Sequence, residues 1–91
     1  MLKKYEKEIK TYDIGNKWFV DIEVWHGKLT GDSRYDAWLY HSDYGVKMHL
    51  FGVFASDTKW EQFMEAAERT AMENKQVYYN LYIVDDDDVI L

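Results

Sequence analysis

The sequence predicts an α+β domain: a mostly antiparallel sheet of four to five strands with one helix packed on one face, in the order β-β-β-β-α-β. Three observations carry this expectation. KWFVDIEVWH, residues 17–26, alternates apolar and polar positions on one of its two sides. Turn residues at 15–16 and 42–45 separate runs rich in β-branched and aromatic side chains. From Thr58 onward the apolar spacing changes from two to three and four.

Along residues 17–26, Trp18, Val20, Ile22, Val24 and His26 point one way and Phe19, Asp21, Glu23 and Trp25 the other, as in a half-buried strand. Gly15-Asn16 before it tolerates positive φ at both positions and predicts a two-residue hairpin turn. With Ile14 facing Lys17, Ile9 falls opposite Ile22 and Thr11 opposite Val20 on the core face. Lys10 then falls opposite Asp21 and Tyr12 opposite Phe19 on the outside. A short helix competes for the first strand, because Leu2, Tyr5 and Ile9 also sit at helical spacing.

After the polar loop HGKLTGDS, residues 34–41 and 46–55 bracket Ser42-Asp43-Tyr44-Gly45 as a second hairpin. Its strands are apolar on both sides, Tyr35, Ala37 and Leu39 against Trp38 and Tyr40, which predicts cover on both faces of the sheet. Thr58-Lys59-Trp60-Glu61 has the form of a capping box, and Trp60, Phe63, Met64, Ala67 and Ala71 then make one apolar helical stripe. Asn74-Lys75 is the expected stop. VYYNLYIV, residues 77–84, alternates Val77, Tyr79, Leu81 and Ile83 against Tyr78, Asn80, Tyr82 and Val84 and is expected as a fifth strand. Val77, Tyr78 and Leu81 also continue the helical spacing.

Ninety-one residues suit one domain, 1–91, with 85–91 as an acidic C-terminal tail. An apolar share of 47% and sixteen aromatic residues supply a core without crosslinks, and the absence of cysteine excludes disulfides and thiolate metal sites. The first residues, MLKKYEKEIK, lack the apolar segment of a secretion signal, and no run approaches the roughly 18 apolar residues of a spanning helix. A cytoplasmic protein without membrane contact is the expectation.

The net charge of −6 is uneven. Residues 1–30 contribute +1, residues 31–60 contribute −1 and residues 61–91 contribute −6. Glu61, Glu65 and Glu68 fall on one flank of the expected helix, where only Glu65 with Arg69 makes a favourable spacing. Asp85, Asp86, Asp87 and Asp88 follow directly after the last expected strand. Such carboxylates repel nucleic acid and attract basic surfaces, with association quickened by steering and weakened by salt. In size, acidity and aromatic content the chain is similar to small acidic inhibitors of restriction or CRISPR nucleases and to immunity or antitoxin proteins. It shares no motif with them.

The expected function is therefore a non-enzymatic, protein-binding one. Glu61, Glu65, Glu68 and Asp85, Asp86, Asp87 and Asp88 supply the field, exposed aromatics such as Trp25 act as anchors, and a basic nuclease or other nucleic-acid-binding protein is the partner. Self-association into a homodimer through an apolar sheet face is the alternative. A third reading is a metal site. With His41 opposite Lys47 and Leu39 opposite His49, both histidines share one face near Asp43. No cofactor motif is present: the serines lack a G-x-S-x-G context, the glycines form no phosphate loop and the aspartates no calcium loop.

Overall fold

The computed structural model describes residues 5–27 and 31–83. Four strands, β1 (Tyr5–Gly15), β2 (Trp18–Gly27), β3 (Ser33–His41) and β4 (Met48–Phe54), make one antiparallel sheet in the order β1-β2-β3-β4, and a single helix, α1 (Trp60–Tyr82), packs on one face. The α+β architecture is the expected one. The molecule is a slab of 53 × 32 × 17 Å, about the depth of one sheet plus one helix.

The core lies where the alternation places it. Val20, Ile22 and Val24 of β2 and Ala37 and Leu39 of β3 are buried against Phe63, Ala67 and Ala71 of α1. Each fully buried large apolar side chain contributes about 1.5–3 kcal/mol. Phe63 leans on Phe51 of β4 and on Tyr35 of β3, and Trp60 meets Tyr35 edge-on at 5.1 Å between ring centroids.

The first hairpin differs from the expected register by one residue. Lys10 pairs with Ile22, Thr11 with Asp21 and Tyr12 with Val20. The cause is at the turn. Asn16 and Lys17, at φ 54° and 70°, form its centre, and Gly15 pairs with Trp18, so the turn sits one residue later than Gly15-Asn16. Ile14 is then skipped in the ladder, while the Gly15 amide donates to Asp13 Oδ1 at 2.8 Å. A later turn and one bulged residue leave a net slip of one, which moves every β1 side chain to the opposite face.

The fifth strand is a correction. Residues 77–82 continue α1, because no glycine or proline interrupts the chain there and because Tyr78 falls on the core side of the helix, seven positions after Ala71. Tyr78 is fully buried, meets Trp18 edge-on at 5.1 Å and donates its hydroxyl to the Val46 carbonyl. Asn74 does not stop the helix, since its side-chain amide donates to Thr70 O within it at 2.8 Å. The β propensity of these residues yields to tertiary packing.

The capping box is also absent. Lys59 is the N-cap and makes no side-chain cap hydrogen bond, so Thr58 lies one position too early.

The helical placement of Tyr78 is testable by unfolding. Tyr78→Ala is expected to cost about 3–5 kcal/mol through the cavity it leaves, and Tyr78→Phe about 1 kcal/mol through the lost hydrogen bond. Denaturant melts would return near-neutral values for both if residue 78 projected from a terminal strand.

Candidate binding surface

The face of the sheet away from α1 has no second layer among the described residues, and the expected aromatic side chains, Phe19 stacked on Tyr40 with Trp25 and Trp38, share it with charged ones. Asp21 and Asp36 stand on it, 3% and 8% exposed, because long neighbours lie over them. Asp21 accepts from the Thr11 hydroxyl at 2.8 Å and from Lys47 Nζ at 2.6 Å. Asp36 accepts from Arg34 Nε at 3.0 Å and from His49 Nε2 at 3.0 Å, and Glu23 pairs with Lys7 at 3.3 Å. Each of these carboxylates meets a cation or a hydroxyl from its own or a neighbouring element, so these polar groups are matched across the sheet.

The electrostatics follow this pairing. Its hydrogen bond to Asp21 raises the Lys47 pKa above the ordinary lysine value, against the opposing effect of burial. The Arg34 guanidinium is likewise held more firmly protonated by its bond to Asp36. Burial pushes the Tyr40 phenol up, with Asp21 acting in the same direction and Lys47 against it. The carboxylate of Asp36 also occupies the space above Gly52, where any Cβ would collide with it. This glycine is needed for room and not for a left-handed backbone.

Aromatic side chains frame the network. Trp25, Trp38 and Phe54 line a groove of about 760 Å³ together with Arg34, Asp36 and His49. Lys7 lies over Trp25 at 5.1 Å and Arg34 over Phe54 at 5.5 Å, so the walls already carry cations of the chain itself. Trp38 Nε1 is buried without a hydrogen-bond partner among the described residues. On the helix side of the sheet, beyond Val24, Ser33 Oγ lies 3.0 Å from His26 Nδ1, but Glu8 is 3.9 Å from His26 Nε2, outside hydrogen-bond range.

On the other side of the molecule the sequence-predicted carboxylates do come together. Glu61, Glu65 and Glu68 are exposed along one flank of α1. That flank overlooks β1: Glu68 and Met64 border a cleft of about 190 Å³ with Tyr12, Asp13, Ile14 and Val20. The cleft has an apolar floor and an acidic rim. Among the described residues, none of the three glutamates makes an ion pair within 4.0 Å, Arg69 notwithstanding.

Trp25 is not part of that surface, since it faces the groove on the opposite side of the sheet. Asp85, Asp86, Asp87 and Asp88 lie outside the described residues. The two histidines are separated. A bulge at Leu50 pairs His49 with Trp38 on the open face, whereas His41 stacks edge-on with Trp18 on the helix side. They cannot share an ion, and the described residues contain no group of three or more His, Cys, Asp or Glu arranged to hold one.

The sequence reading missed Asp21, Asp36, Lys47 and Arg34 as a network. Alternation placed Asp21 outside, but its burial depends on cover from Lys47, which lies two strands away. No protein-family model matches the chain, and neither a curated protein nor a solved structure does. Among the described residues no helix is long and apolar enough to cross a membrane.

The Asp21–Lys47 pair has a defined pH signature. A raised folded-state pKa means that its contribution is fully present below the unfolded lysine value, near 10.4, and is lost as pH rises through the folded value. Lys47 is 43% exposed, so Lys47→Met is expected to cost about 1–2 kcal/mol, between surface and buried cases. Measured in a Tyr40→Phe background, which removes the phenol titrating nearby, the deficit should hold from neutral pH to about 10 and shrink above it. A deficit independent of pH would mean that lost packing, not the ion pair, sets it.

Proposed function

We propose that the protein is a non-enzymatic binding module that docks the acidic flank of α1 onto a basic surface of a nucleic-acid-handling protein, such as the phosphate-binding cleft of a nuclease. The observation that carries this reading is the division of the carboxylates. Those buried in the sheet are consumed by the fold, each with a cation or hydroxyl beside it. Glu61, Glu65 and Glu68 have no such partner among the described residues, and they repel one another at helical spacing. A like-charged row lowers helix stability by a few tenths of a kcal/mol per pair, a cost that an oppositely charged partner removes.

The cleft beneath the row gives the contact an apolar component. Tyr12, Ile14, Val20 and Met64 floor it, so an aliphatic stem could lie there with its cationic end at Glu68 or Asp13. Asp85, Asp86, Asp87 and Asp88 follow α1 in sequence and extend the same negative segment.

A second reading is favoured by the groove of Trp25, Trp38, Phe54 and Arg34, since aromatic residues and arginine dominate interface hot spots. In that case a partner seats on the open sheet face and the helix carboxylates only steer it.

Affinity capture with the full chain separates the two. The Glu61→Gln, Glu65→Gln, Glu68→Gln triple variant is expected to bind its captured basic partner about tenfold or more weakly, with a shallower dependence on salt. Trp25→Ala is expected to leave that affinity unchanged. If the triple variant binds like the parent while Trp25→Ala does not, the open face is the contact surface and the first reading fails.

A further inference from the structure

We infer that a second copy of the chain docks against the β4 side of the slab, edge to edge, to make a two-fold dimer with a continuous eight-stranded sheet. This contact lies on the wall opposite the acidic flank and meets the groove on the open face only at Phe54.

The two walls of the slab differ in charge. β1 carries Glu6, Lys7, Glu8, Lys10 and Asp13 along its edge, below the glutamates of α1. β4 contains no Asp, Glu, Lys or Arg. The side of α1 that overlooks it is fixed by Phe63, which rests on Phe51. At helical spacing that same side presents Ala66, Thr70, Val77 and Leu81, with the exposed Glu73 at its solvent rim, three positions after Thr70 and four before Val77. Free sheet edges are templates for another strand, and proteins ordinarily guard them with charge. β1 is guarded in this way and β4 is not.

Among the described residues, the β4 edge is also open in its backbone. The Ala55 amide donates to Ser33 O at 2.8 Å, so the alternation of an antiparallel ladder turns the Phe51 and Val53 amides toward β3 and those of Gly52 and Phe54 outward. Met48, Leu50, Phe51 and Val53 are only partly covered by the helix. Phe54, Val77 and Leu81 are 53%, 45% and 62% exposed. Among the described residues, donors, acceptors and apolar side chains are thus left unpartnered on one wall together.

A second copy fits this wall for three reasons. A two-fold axis across an antiparallel edge sets β4 against itself, so each outward amide meets an outward carbonyl of the same strand in the other copy. The same axis lays the two α1 flanks side by side. Two chains of net charge −6 repel each other, and the β4 wall lets them touch away from the row of Glu61, Glu65 and Glu68, whereas a basic partner is drawn to the other wall. The size is that of a small interface. A 23-residue helix is about 34 Å long. Over the 17 Å depth of the slab this gives a flat footprint on the order of 500 Å² before side-chain relief, against the ~800 Å² of accessible surface per partner in a standard interface.

Sedimentation equilibrium of the full chain tests the inference. The mass is expected to rise from 11.0 kDa toward twice that value between low and high micromolar concentration. Val77→Glu with Leu81→Glu, both at exposed positions, is expected to raise the dissociation constant by about tenfold or more, because the two-fold sets the new carboxylates against their copies. Phe54→Pro, which removes an outward amide while sparing the β3 ladder, is expected to abolish the dimer. Circular dichroism should report a folded chain for both variants. The Glu61→Gln, Glu65→Gln, Glu68→Gln variant is expected to dimerise like the parent. A chain that stays monomeric throughout would overturn the inference. So would a dimer that the helix variant leaves unchanged, or one that Trp25→Ala on the open face dissociates.

Discussion

A sheet with a helix on one side only has to hold its second face together without a second layer of side chains. Here that is done by charge and hydrogen bonding across strands. Asp21 ties β2 to β1 through Thr11 and is covered by Lys47 from the connection into β4, while Asp36 ties β3 to β4 through His49. Removing one partner of such a group leaves a buried carboxylate uncompensated, which costs far more than an exposed surface pair contributes. Other features depend on this arrangement. Gly52 exists as glycine because Asp36 fills the space above it, and the bulge at Leu50 turns His49 toward that same carboxylate.

The arrangement also sorts the acidic residues. An acid on the sheet is structural when it lies beneath a cation, and the cations available there are largely taken by Asp21, Glu23, Asp36 and Asp43. Among the described residues, Glu61, Glu65 and Glu68 of α1 make no ion pair within 4.0 Å, and their field reaches outward. The slab therefore has two side walls of different character, one where Glu61, Glu65 and Glu68 face the β1 side and one where α1 lies over β4, a strand without Asp, Glu, Lys or Arg. On the readings proposed above, a basic partner and a second copy of the chain would take different walls. A dimer formed in this way would present two acidic walls facing opposite directions, and bivalent binding raises apparent affinity without any new contact.

Much of the fold was legible because alternation and helical spacing report which face a residue takes. Val20, Ile22, Val24, Ala37, Leu39, Phe63, Ala67 and Ala71 are buried where their spacing places them. Register was not legible, since it turns on single residues: Ile14 skipped in β1 and Leu50 skipped in β4 move Thr11 and His49 to faces that an unbroken ladder would not give them. The helix end was misread because Val77, Tyr79 and Leu81 alternate like a strand while Tyr78 alone decides the packing. The carboxylate network was invisible for a related reason. Spacing tells that Asp21 points away from the core, but whether it stays wet depends on a lysine 26 positions later.

The central claim is that sheet carboxylates serve the fold and helix carboxylates are free. Carbodiimide footprinting of the native chain, with the modified residues located by mass spectrometry, tests it directly. Rapid modification of Glu61, Glu65 and Glu68 with slow modification of Asp21 and Asp36 is the predicted result. Equal rates across the two sets would contradict it.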